Sequence, residues 1–120
     1  MRVVVVAEDE LLIRMAVAES LAEAGFVVLE AEHAEKALAI LSLEAHDVHV
    51  LFTDVRMPGE MDGIALSHHV KTHWPWIGLL VTSAHAMVRE GELPLGSRFL
   101  NKPYHHAHVI DHVRELAEAA

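Results

Sequence analysis

The chain has 120 residues, with 18 acidic side chains against 9 Lys and Arg, 11 His and no Cys. That length makes one domain with a core of its own, and the lack of cysteine excludes a disulfide framework, a thiolate metal site and a cysteine nucleophile. A formal charge of −9 argues against nucleic acid or an anionic membrane as partner.

Val3 to Ala7 is an apolar run that meets Glu8-Asp9-Glu10 at once. It is too short to span a membrane and stops too abruptly for a secretory signal, so it reads as a buried strand. Leu11, Leu12, Met15, Ala18 and Leu21 or Ala22 then recur at helical spacing, and Gly25 stands where a helix would stop. Phe26 to Leu29 predicts a second strand. Ala34, Ala37, Leu38 and Leu41 predict a second helix, and Val48 to Thr53 a third strand.

Asp62 is placed to cap a helix from Gly63 to His73, closed by Pro75. Ile77 to Thr82 and Leu95 to Leu100 predict strands four and five. Between them Ala84 to Glu92 is a short helical stretch of one to two turns, limited by Gly91 and Pro94. The last helix carries Val109, Ile110, Val113, Leu116 and Ala117 on one stripe, with Pro103 suited to its first turn. No linker, repeat or low-complexity tract interrupts the order, and the last pattern runs almost to Ala120. The expectation is a single domain over residues 1–120 with no output domain.

Strand and helix alternate five times, and most strands are continuous Val, Ile, Leu and Phe runs, as expected of a parallel sheet covered on both faces. The natural solution is an α/β, flavodoxin-like, doubly wound (βα)5 domain with a five-stranded parallel sheet in the order 2-1-3-4-5. In that order strand 1 delivers Glu8-Asp9, strand 3 Asp54, strand 4 Thr82-Ser83 and strand 5 Lys102-Pro103 to one rim, where open α/β sheets bind ligands. Carboxylates brought together repel unless a cation neutralises them, and hard oxygen ligands in an incomplete cage suit Mg²⁺. Glu8 and Asp9 could hold the ion, leaving Asp54 as a nucleophile for a phosphoryl group. Lys102 and the Thr82 hydroxyl would then face the phosphoryl oxygens.

Four segments carry a family resemblance: Val-Val-Ala-Glu-Asp-Glu at 5–10, Thr-Asp-Val-Arg-Met-Pro-Gly-Glu-Met-Asp-Gly at 53–63, Leu-Val-Thr-Ser at 80–83 and Asn-Lys-Pro-Tyr at 101–104. In this order and spacing the chain resembles the receiver domain of bacterial two-component response regulators, of the stand-alone, chemotaxis-regulator type. The resemblance implies Asp54 as phospho-acceptor and Glu8, Asp9, Asp54 and the Arg56 main-chain carbonyl as ligands of Mg²⁺ or Mn²⁺. It also implies Thr82 as switch hydroxyl, Lys102 as the phosphoryl-binding lysine, Phe99 as switch aromatic and a cis bond before Pro103. Implied partners are a sensor histidine kinase or histidine phosphotransfer protein, a downstream protein, and a second copy through the fourth helix, strand 5 and the last helix, in the cytoplasm. The role is regulatory, with no catalysis beyond the domain's own phosphorylation and dephosphorylation. Against the common pattern, the acceptor loop has one residue more, and the stretch from Thr82 to Phe99 is short.

Other classes fit less well. A Mg²⁺-dependent phosphohydrolase would want an acid two residues after Asp54, where Arg56 stands. A flavin carrier would place its phosphate against Glu8-Asp9-Glu10, which repels it. The histidines at 68, 69, 73, 105, 106, 108 and 112 include i, i+4 pairs of the kind that ligate Zn²⁺ or Ni²⁺, but without supporting residues they read as exposed helix positions. Protonating all eleven histidines of the chain would move the formal charge from −9 to +2.

Overall fold

A computed structural model describes residues 2–84 and 91–119. The elements, in chain order, are β1 (Val3–Ala7), α1 (Leu11–Glu23), β2 (Val27–Ala31), α2 (Ala34–Glu44), a 3₁₀ turn (Ala45–Asp47), β3 (Val48–Asp54), α3 (Gly63–His73), β4 (Gly78–Ser83), β5 (Arg98–Asn101) and α4 (His106–Glu118). The helix expected at Ala84–Glu92 falls largely outside the described residues. The five strands are parallel and ordered β2-β1-β3-β4-β5, as the alternation implies.

Strand pleat divides the core into two. Val4, Val6, Val50, Phe52 and Leu80 face α1 and α4, whereas Val5, Ala7, Leu51 and Leu79 face α2 and α3. β1, β3 and β4 are almost wholly buried and were legible as unbroken apolar runs. The edge strands β2 and β5 are only half-buried, and their bounds move from those expected. Phe26 gives its N–H to the Leu21 carbonyl at 3.1 Å in the turn around Gly25 (φ 100°), so β2 starts at Val27, whose N–H reaches Arg2. Pro94 to Ser97 closes a turn with Gly96 at φ 87°, and Leu95 is 92% exposed, so β5 starts only at Arg98.

Two helix expectations also change. The apolar stripe of α1 meets the core only from Val17 onward: Leu11, Leu12 and Met15 are at least half exposed. Pro103 does not enter the first turn of the last helix. The Lys102–Pro103 bond is cis and α4 begins at His106, with His105 as an N-cap that lends no side-chain bond. By contrast Asp62 caps α3 as expected, its carboxylate accepting from the Ala65 N–H at 2.9 Å. No helix among the described residues is long and apolar enough to cross a membrane.

Candidate functional site at the carboxyl rim

The ladder sets the site. Ala7 pairs with Thr53, Asp54 with Thr82, and Thr82 with Leu100, so β1, β3, β4 and β5 end at nearly one level. Beyond those ends three main-chain bonds continue the register: Glu8 N–H to Ala31, Val55 N–H to Thr82 and Lys102 N–H to Ser83, at 2.9–3.0 Å. Glu8, Asp54 and Thr82 are thereby buried, while Asp9 stays exposed. One carboxylate oxygen from each of Glu8, Asp9 and Asp54 lies within 4.8 Å of the others.

Lys102 joins this cluster from the far strand. Its ammonium donates to Glu8 Oε1 at 2.9 Å and to Asp54 Oδ2 at 2.8 Å. Burial raises the Glu8 pKa; the hydrogen bond from Lys102 and the Glu10 N–H work against that, and the charge of Asp54 adds to it. For Lys102 burial disfavours the charge, but its bonds to Asp54 and Glu8 outweigh burial and raise its pKa. One cation thus serves two carboxylates, and the exposed Asp9 has no share in it. The donor set is all oxygen, acidic and open on the Asp9 side, which suits a hard divalent ion. Among the described residues it is the one group of three or more ligating side chains close enough to share a metal.

The Thr82 hydroxyl is buried and has no hydrogen-bond partner among the described residues. Phe99 is half-buried and pairs with Val81, so alternation along the strands turns it and Thr82 to opposite faces. Arg56 is exposed in the loop between β3 and α3, which Gly63 N–H anchors by a 2.8 Å bond to the Val55 carbonyl.

Three supporting residues had no role in the sequence reading. Arg14 of α1 donates to the Glu8 carbonyl at 2.9 Å and to Glu30 at 3.2 Å, tying down the acidic loop. A Cβ at Gly63 would stand 1.9 Å from the Asp54 carbonyl oxygen, so only glycine lets α3 start this close to the end of β3. Tyr104 packs edge-on against Phe52, with ring centres 6.0 Å apart, and its buried hydroxyl has no partner among the described residues. Burial pushes its pKa up to about 12, against the pull of Lys102 and with that of Glu8 and Asp54. Periodicity marks none of these three, although Gly63 and Tyr104 lie inside the quoted motifs.

A model of the response regulator receiver domain matches residues 4–114. The chain belongs to that family. Among curated relatives, the transcriptional regulatory protein RcsB of Escherichia coli K12 is 32% identical over 80 residues, which cover 65% of this chain and 37% of RcsB. This receiver domain therefore spans little more than a third of that relative's length. Among solved structures, a response regulator receiver domain from Clostridium thermocellum matches with a TM-score of 0.90 at 20% identity, over 99% of this chain and 96% of that one. The response regulator TrrA of Thermotoga maritima, solved in complex with Mg²⁺–BeF, matches with a TM-score of 0.85 at 21% identity, over 97% and 99% of the two chains. At those identities the structures establish the shared fold.

Proposed function

We propose that this receiver domain is a phosphorylation-controlled signalling module, taking a phosphoryl group onto Asp54 from a phosphohistidine of a sensor histidine kinase or phosphotransfer protein. The observation that carries the reading is the placing of Asp54: a carboxylate at a strand end, buried, held by Lys102 and within reach of two further acids. Glu8, Asp9, Asp54 and the Arg56 carbonyl would hold Mg²⁺, or Mn²⁺, a reading supported by the all-oxygen donor set and by the Mg²⁺–BeF complex of TrrA. When bound, the ion supplies the positive charge that lets a phosphoryl group approach three carboxylates.

The chain's own groups do the rest. Asp54 Oδ attacks phosphorus as the P–N bond to the donor imidazole breaks; the bond's electron pair returns to that nitrogen, and the proton on the ring's other nitrogen makes the leaving group a neutral imidazole. Lys102 moves from sharing two carboxylates to facing a phosphoryl oxygen. The unpartnered Thr82 hydroxyl donates to another, which ends its isolation inside the protein. Removal of the phosphoryl group by water closes the cycle, with no external substrate turned over. Leu11, Leu12 and Met15 lie exposed beside an apolar cleft of about 450 Å³ lined by Leu12, Ile13, Pro103 and Tyr104 and reaching Lys102. A donor helix laid there would bring its phosphohistidine to the rim.

The output is a change in what the surface binds, along the β5 edge and α4, with Thr82 and Phe99 as the switch residues on the two faces of the sheet. A downstream protein or a second copy would read that face, in the cytoplasm. To take a partner from mostly free to mostly bound needs a differential affinity of roughly 10²–10⁴ between the two states.

Incubation with Mg²⁺ and a small phosphodonor, followed by intact mass, tests the acceptor. One phosphate adduct is expected, and Asp54→Asn should show none while keeping the fold. Stoichiometric labelling of the Asp54→Asn protein would sink the assignment.

A further inference from the structure

The histidines among the described residues divide sharply. His33 caps α2, His49 accepts the Val3 N–H, His68 meets the Glu92 carbonyl, His106 meets Ser20 at 2.6 Å and His112 faces Arg98 at 3.2 Å. Of the two i, i+4 pairs among the described residues, His108 and His112 is thus broken up by Arg98. The other is not. His69 and His73, one turn apart on α3, stack with ring centres 4.1 Å apart and planes 15° from parallel.

We propose that His69 and His73 form a second metal site, a two-imidazole chelate for a borderline divalent ion of the Cu²⁺, Ni²⁺ and Zn²⁺ group. The tautomer supports it. His73 Nδ1 lies 2.9 Å from the His69 carbonyl oxygen, and a carbonyl can only accept, so Nδ1 carries the proton. The lone pair of neutral His73 is therefore on Nε2, and a backbone carbonyl orients the ring as it does for many metal-binding histidines. His69 makes no hydrogen bond through its ring among the described residues, so both its nitrogens are open to the choice. Both rings sit in the last turns of α3, at the negative end of the helix dipole, which favours a cation. His73 is exposed and His69 half-buried, and residues four apart on a helix share a face, so both rings can be turned toward one ion.

The surroundings point the same way. Trp74 lies beside both rings, at 6.0 Å from His69 and 5.9 Å from His73 between ring centres. Beside His73 opens a cleft of about 270 Å³ that also contains His46, itself stacked on Trp76. His46 is not close enough to complete a three-residue group. Water fills the remaining positions, leaving the ion open to an outside ligand. Imidazole prefers Cu²⁺, Ni²⁺ and Zn²⁺, whereas Mg²⁺ prefers carboxylate oxygen, so this site and the acidic rim sort metals by chemistry. The α3 end lies at the amino ends of the strands, and the acidic rim at their carboxyl ends. The proposal rests on none of the phosphoryl chemistry.

The only two tryptophans of the chain, Trp74 and Trp76, are built-in reporters. The test is fluorescence titration of the untagged full chain with Cu²⁺, in excess Mg²⁺ throughout. The expected result is quenching that saturates at one equivalent, competes with Zn²⁺ and ignores Mg²⁺. His69→Ala and His73→Ala should each weaken it by about tenfold or more, and His69→Gln and His73→Gln should do the same with helical circular dichroism unchanged. His112→Ala should leave it as it was. Quenching that survives the His69 and His73 variants, that fails to saturate at one equivalent, or that Mg²⁺ displaces would overturn the site.

Discussion

At the carboxyl end of the sheet Glu8, Asp54 and Lys102 ride on strand ends and are nearly closed to solvent, whereas at the amino end His46 and His73 ride on helix ends and face it, with His69 half-buried one turn before His73. The parallel ladder fixes each strand end against two neighbours, so a charge placed there inherits its geometry from the whole sheet. A helix end is fixed mainly by its own turn, and its side chains can turn to meet a ligand. The first end suits the proposed phosphoryl chemistry, and the second suits the proposed metal capture. Substitutions should therefore be costly at the rim and cheap at the opposite end.

The largest effect is expected at Gly63, where a methyl group must displace the Asp54 carbonyl. Gly63→Ala should lose about 3 kcal/mol or more in chemical denaturation. A loss under half of that would mean the rim is far more pliant than its buried charges suggest.

Next comes Lys102→Ala, which leaves Glu8 and Asp54 facing each other without a cation. The expected loss is about 2 kcal/mol at neutral pH, less than for breaking a fully buried pair because Glu8 can take up a proton. The sign of the pH dependence follows from the raised Glu8 pKa. A carboxyl that binds its proton more tightly when folded contributes stability that is complete below its unfolded value, near 4.5, and is lost as pH rises through the folded one. The variant should therefore recover towards the parent as pH falls to that range, and Mg²⁺ should recover it at neutral pH. Unfolding curves at several pH values, with and without Mg²⁺, check both.

A smaller effect isolates Tyr104. Its raised pKa stabilises the fold fully below pH 10, and that contribution is lost as pH climbs towards about 12. Tyr104→Phe removes a hydroxyl that has no partner, so it should be neutral or slightly stabilising at pH 7 and flatten the alkaline loss. An unchanged alkaline limb would place the titrating group elsewhere. The smallest effect is expected at the other end: His73→Ala should fall within about 0.5 kcal/mol of the parent, since it removes an exposed side chain. A larger loss would show that the His69–His73–Trp74 stack is structural rather than adaptable.

Much of this was open to reading from residue order. β1, β3 and β4 are unbroken apolar runs because both their faces are covered, and that pattern is local. The alternation gives a doubly wound parallel sheet, for which 2-1-3-4-5 is a natural order, and the observed order brings Glu8, Asp54, Thr82 and Lys102 to one rim. The edge strands read less well because half of each faces water, leaving turn chemistry at Gly25 and Gly96 to set where they begin. What only the tertiary structure decides is which polar groups meet. Lys102 reaches Glu8 across 94 residues of chain, and Ser20 reaches His106 across 86. No periodicity reports such pairs, because the sheet order and pleat, rather than neighbouring residues, set those distances. The same holds for α1, whose stripe continues through Leu11, Leu12 and Met15 although the core it could cover extends only from Val17. A helix records that one face is apolar, but the partner packed against it determines how much of that face is buried.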